Sequence, residues 1–158
     1  MTEQFFVGYQ MTLVRTFDAP RQLVFDCFTQ VEHMARWWGP RHFTAPLCEV
    51  DARPGGQILI HMEGPPPYGV SPMGGEFIEV SPPDRLVFSA KAYRGADGEW
   101  GIDNLNELSF TEQDGKTVLT LVVTVRKVSA EILPALGGME EGWSQSLDKL
   151  GELLADLG

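Results

Sequence analysis

The residues of this chain with the most specific chemistry are three histidines (His33, His42, His61), two cysteines (Cys27, Cys48) and four tryptophans (Trp37, Trp38, Trp100, Trp143). The histidines are too dispersed for an H-x-x-x-H ligand pair, and the cysteines do not form C-x-x-C, so no metal site is expected. Neither cysteine has a base nearby in sequence, and there is no G-x-S-x-G nucleophile turn. Phosphate-loop and dinucleotide fingerprints are absent as well, which excludes most nucleotide enzymes and leaves no cofactor expected. The cysteines read as reduced thiols acting as small buried hydrophobes. Glu76, Asp103 and Glu107 lie in or beside strands. A carboxylate turned into an apolar cavity would have a raised pKa and serve as general acid or base, whereas one turned to water would not. His61, beside Met62, faces the same choice. No catalytic set is assigned.

The aromatic residues suggest binding instead. Trp37 and Trp38 sit in the turn after the first helix, beside Pro40, where they cap the core or line a cavity mouth. Trp143 and Leu147 share the apolar stripe of the last helix. Phe77, Phe88, Tyr93 and Trp100 come from the middle strands and loops, and Trp100, in a glycine-rich connection, is a candidate lid. Strand parity alone does not say which face each takes. With His61, these residues form the candidate ligand-binding set, and His61, Tyr93 and Glu107 are the polar groups that could orient a ligand.

Positioning these groups falls to a short list of elements. Met11–Phe17 alternates as a strand, and Asp18-Ala19-Pro20 starts a helix whose Val24, Cys27, Phe28 and Val31 form one stripe. A second short helix or turn, His33 to Trp38, ends at Gly39-Pro40. Phe43–Asp51 and Gln57–Met62 read as strands around the turn Arg53-Pro54-Gly55-Gly56. Gly64–Gly75, rich in Pro and Gly, reads as a loop. Glu76–Val80 and Arg85–Lys91 are further strands, and Asp97-Gly98 is a turn. Asn104–Thr111 and Thr117–Lys127 form a hairpin around Asp114-Gly115. Gly138–Leu157 is an amphipathic helix of ~30 Å. Strands in hairpins with helices at the ends make an α+β domain. A curved antiparallel sheet of about six to seven strands needs its concave face covered, and the last helix is the element long and apolar enough. The expectation is one domain over 1–158, with 1–9 an extension and 10–157 the domain.

Composition narrows the partners. A formal charge of −10, from 12 Lys+Arg against 22 Asp+Glu, disfavours nucleic acid and anionic membrane surfaces. No stretch approaches the ~20 apolar residues of a membrane span. Met1–Gly8 lacks the basic and apolar regions of a signal peptide, so a cytoplasmic protein is expected. A homodimer is compatible with the sequence, although no residue pattern specifies one.

Several segments together carry a resemblance. They are Arg15-x-Phe17-x-Ala19-Pro20, Arg36-Trp37-Trp38-Gly39-Pro40, Asp51-x-Arg53-Pro54-Gly55-Gly56, Gly75-Glu76-Phe77 with Ser81-Pro82-Pro83-Asp84-Arg85-Leu86-Val87-Phe88, and Gly142-Trp143-x-x-x-Leu147-Asp148-Lys149-Leu150. In this order, over about residues 10–157, the chain resembles the Hsp 90 ATPase activator homologue-like family of the START-like (Bet v-like, SRPBCC) superfamily. The resemblance implies a helix-grip fold, a curved sheet holding a long C-terminal helix with a hydrophobic cavity between them. It implies foremost a binder of a hydrophobic or aromatic, lipid-like small molecule. Two alternatives are a cofactor-independent cavity enzyme of cyclase or hydrolase type and an Hsp 90 co-chaperone-like protein. The eukaryotic co-chaperone carries an additional N-terminal domain that makes much of the chaperone contact. Here the first strand begins at Met11, which ranks chaperone contact below ligand binding.

Overall fold

The computed structural model describes residues 7–157. Its elements are β1 (Gln10–Phe17), α1 (Arg21–Thr29), α2 (Val31–Trp37), β2 (Thr44–Val50), β3 (Gln57–Gly64), β4 (Gly69–Ser81), β5 (Arg85–Arg94), β6 (Trp100–Gln113) and β7 (Lys116–Val128). A 3-10 helix (Ala130–Gly138) and α3 (Met139–Leu157) complete the chain. The strands form one seven-stranded antiparallel sheet in the order β1-β7-β6-β5-β4-β3-β2. The helices cover one face of this sheet, the inner face, and the architecture is the helix-grip fold.

Alternation decides what each strand buries. In β7, Leu119, Leu121, Val123 and Val125 are buried, while Thr120, Val122 and Thr124 turn outward and remain partly exposed. Across the inner face Leu119, Leu121 and Val123 share one core with Leu147, Leu150, Leu153 and Leu154, the buried stripe of α3. At ~1.5–3 kcal/mol per buried large apolar side chain, this interface dominates the burial energy of the helix. Pro20 is the N-cap of α1, one residue before the helix proper, and Val24, Cys27 and Phe28 are buried beneath it. Val31 falls instead at the start of α2 and is exposed, because Gln30 takes an extended backbone and breaks the first helix. Trp37 locks the two helices together. Its Nε1–H donates to the Cys27 carbonyl at 2.8 Å, and its ring stands edge-on to Phe28 at 4.7 Å.

Two segments differ from the expectation. The Pro/Gly-rich stretch 64–75 is mostly strand. The β3–β4 ladder runs from Gln57↔Glu76 to Gly64↔Gly69 and leaves only Pro65–Tyr68 as a turn. Pro72 is tolerated in β4 because the β4–β5 ladder begins at Met73↔Ala92, so its missing N–H interrupts no bond on that side. The second difference is the 3-10 helix before α3. Its Ile132 and Leu136, with Met139, pack on a small cluster of Ile102, Val125 and Val128. The hairpin at Asp114-Gly115 takes positive φ at both residues (54° and 79°), the requirement of a type I′ turn. Among the described residues no helix is long and apolar enough to cross a membrane.

Candidate functional site

The side chains of most chemical interest lie between the sheet and the N-terminal half of α3. Trp38, the first residue after α2, meets Trp143 edge-on at 5.4 Å, Trp37 at 5.6 Å and Phe88 of β5 at 6.2 Å. Phe88 continues to Phe77 of β4 at 6.1 Å. Trp37, Trp38, Phe77 and Phe88 are buried, as is Leu147 in the same cluster, whereas Trp143 is only partly covered. Six of the nine predicted residues are therefore brought into one body of side chains under α3.

The other three lie elsewhere. His61 sits in a cross-strand row with Leu47 and Pro72. Its neighbours Ile60 and Met62 face the core, so the two-residue period of β3 sends His61 to the outer face. Tyr93 is 52% exposed and takes a φ of 59°, a kink near the end of β5. Trp100 lies on the outer face, its ring edge against Gly74 and its centroid 5.3 Å from the Arg94 guanidinium. The acids are likewise outside. Glu107 pairs with Arg85 at 2.9 Å and Asp103 with Arg126 at 2.8 Å, and Glu76 is exposed.

Sequence reasoning missed Asn104 and Asn106. Both project from β6 onto the inner face, Asn104 opposite Ala90 and Val125, Asn106 opposite Phe88 and Val123. They are 9% and 1% exposed. The Asn104 Nδ2 donates to the Met139 sulfur at 3.4 Å and the Asn106 Nδ2 to the Phe88 carbonyl at 3.4 Å. Among the described residues neither Oδ1 has a partner. A buried acceptor left unpaired costs ~1–3 kcal/mol, so two of them on one strand form an expensive arrangement. A signal was available in the sequence. The positions Ile102, Asn104, Asn106, Leu108 and Phe110 share a period, and two amides break an otherwise apolar series.

The two thiols are free, and burial pushes Cys27 up to about 12 and Cys48 up to about 11. Both are therefore neutral at physiological pH and unsuited to nucleophilic chemistry. At the other end of the site Lys149 ties α3 to the loop after α2. Its Nζ donates to the carbonyls of Gly39, Pro40 and Phe43 at 3.0, 3.4 and 3.2 Å. Burial, followed by the nearby Arg41 charge, lowers its pKa from the ordinary lysine value.

Comparison with known proteins agrees with this architecture. The family described as "Activator of Hsp90 ATPase homolog 1-like protein" matches residues 18–155. Among solved structures, protein CV1439 from Chromobacterium violaceum is similar at 23% identity and a TM-score of 0.79, covering 92% of this chain and 96% of its own. Protein Ms6760 from Mycobacterium smegmatis, at 27% identity and a TM-score of 0.77, covers 93% and 91%. The AHSA1 protein SPO3351 from Silicibacter pomeroyi, at 22% identity and a TM-score of 0.75, covers 94% and 99%. No curated protein matches. With the family matched from the start of α1 almost to the end of α3, and the same fold in these neighbours, the chain belongs to the Activator of Hsp90 ATPase homolog 1-like family.

Proposed function

We propose that this protein binds an apolar, flat small molecule between the inner face of the sheet and the first turns of α3. The observation that carries the reading is the pair of unpartnered amide oxygens of Asn104 and Asn106, buried on a face otherwise lined by apolar side chains. Each Nδ2 already gives one N–H to a protein acceptor, whereas neither oxygen is paired among the described residues, so the larger unmet demand is for a donor. The complementary ligand donates hydrogen bonds, as a phenol or alcohol does, and a carboxylate does not. Trp38, Trp143 and Phe88 supply aromatic contact area around the same region.

Entry requires movement, because the aromatic cluster fills the space beneath Trp143. The segment to move is the 3-10 helix with the start of α3, which holds Met139 over Asn104 and seats Ile132 and Leu136 on the small second cluster. Displacing Met139 opens the interior beside Asn104 without disturbing the Leu147–Leu154 stripe. Affinity then comes from buried apolar area at ~25 cal/mol per Å², reduced by ordering costs, with the amides fixing orientation.

The test is a titration followed by tryptophan fluorescence, comparing naringenin, which carries phenolic donors, with palmitate, which is acceptor-only at neutral pH. The reading predicts saturable quenching by naringenin, weakened in Trp143→Phe, and little response to palmitate. Equal binding of both, or no quenching by naringenin in folded protein, would contradict it.

A further inference from the structure

The outer face of the sheet, turned away from α3, carries a concavity. Glu49, Leu59, Gly74 and Lys91 stand in one cross-strand row over β2, β3, β4 and β5, and Glu76 lies in the next row opposite Gln57. Trp100 completes the wall, and the groove encloses about 590 Å³. Its floor is Leu59 and the bare backbone of Gly74. The glycine lets the indole lie close, since a Cβ at position 74 would meet the Trp100 ring at 3.1 Å and make it give by a few tenths of an ångström. The Arg94 guanidinium, which does not line the groove, lies over the ring 5.3 Å from its centroid. An aromatic side chain fixed over a glycine, beside an apolar floor, makes a slot for a planar group.

Charge selects what enters. Among the described residues Asp103, Glu107, Glu79, Asp51 and Glu99 are all in ion pairs, and no ion pair involves Glu49 or Glu76. These two carboxylates therefore face the groove with the single ammonium of Lys91 at the β5 end of the first row, and the protein's net charge of −10 adds a negative background. Carboxylates beside an indole favour a cation attached to an apolar body. The ammonium finds the acids, and the body finds Trp100 and Leu59.

We propose that this groove is a second binding site, independent of the space under α3, which takes small arylalkylammonium ions. The probe is phenethylammonium, with phenylacetate as its counterpart of opposite charge, and binding is followed by amide and indole NMR shifts. Phenethylammonium should move the Trp100 indole N–H and the Gly74 and Gly75 amides saturably, and phenylacetate should not. Glu76→Gln and Glu49→Gln should each weaken binding by about fivefold, the size expected of one partly solvated charge contact. Gly74→Ala should shift the indole and weaken the response. Absence of shifts with phenethylammonium, equal shifts with phenylacetate, or full affinity in both glutamine variants would overturn the proposal. Because none of these residues touches the aromatic cluster under α3, failure here leaves the naringenin result untouched.

Discussion

Replacing Asn106 should stabilise the protein while destroying its proposed binding function. The side chain is 1% exposed, and its Oδ1 has no partner among the described residues, a state worth ~1–3 kcal/mol against folding. In return it makes one bond, to the Phe88 carbonyl at 3.4 Å, longer than the usual range of about 2.7–3.2 Å and therefore weak. Leucine has as many side-chain heavy atoms as asparagine, and valine is smaller and suited to a strand. Either removes the unpaired acceptor and adds apolar burial against Val123 and Phe88. Setting ~2 kcal/mol of relief against ~0.5 kcal/mol of lost bonding gives a net gain of ~1.5 kcal/mol. At ~2–4 °C per kcal/mol for a domain of this size, Asn106→Leu and Asn106→Val should melt about 3–6 °C higher in the ligand-free state. Calorimetry of both variants decides the matter, and the naringenin response should vanish in each. If both variants were less stable than the parent by 1 kcal/mol or more, the amide would be a structural element with a hidden partner. The reasoning that makes it a ligand anchor would then fail. Stability gained at the expense of binding is the expected signature of a site.

Three further outcomes follow from the electrostatics and the packing. With Cys48 up at about 11, its thiolate fraction at pH 8 is about a hundredfold below that of a thiol at 9.0, and Cys27, at about 12, is lower still. Native protein should therefore resist iodoacetamide at pH 8 and react at Cys48 before Cys27 as the pH rises. Because both folded values exceed the unfolded one, stability is complete below pH 9.0 and declines above it, where unfolded thiols ionise first. Lys149→Met should cost about 1.5–3 kcal/mol by urea denaturation, since three carbonyls of the loop after α2 lose a charged donor. A loss below ~0.5 kcal/mol would mean that water replaces the ammonium without penalty.

The fold was largely legible, because it is written in periodicity. Leu119–Val125 alternates with period two and Met139–Leu157 repeats at helical spacing, and each lies where that pattern requires. What period could not supply was the face. His61 and Ile60 are adjacent, and only the pairing of β3 with β2 and β4 shows that Ile60 turns inward and His61 outward. Trp100 looked like a lid over the interior. The kink at Tyr93 and the bare backbone of Gly74 carry it to the opposite side of the sheet. The segment 64–75 was obscured by its own composition, since proline and glycine signal turns wherever they occur. Pro72 is nevertheless accommodated where the neighbouring ladder ends. The asparagines escaped for another reason. A search for reactive groups passes over amides, and their importance becomes visible only when burial and hydrogen bonding are counted together.

The central claim is that the space beside Asn104, Asn106 and Trp143 is where a ligand is held. The most direct measurement is the set of intermolecular NOEs from bound naringenin, with the side-chain amide shifts of the two asparagines recorded in the same titration. The account predicts contacts to the Trp143 ring and Met139 methyl, and downfield movement of both asparagine amides as their oxygens accept hydrogen bonds. NOEs confined to the outer face around Trp100, or unchanged asparagine amides at saturation, would contradict it.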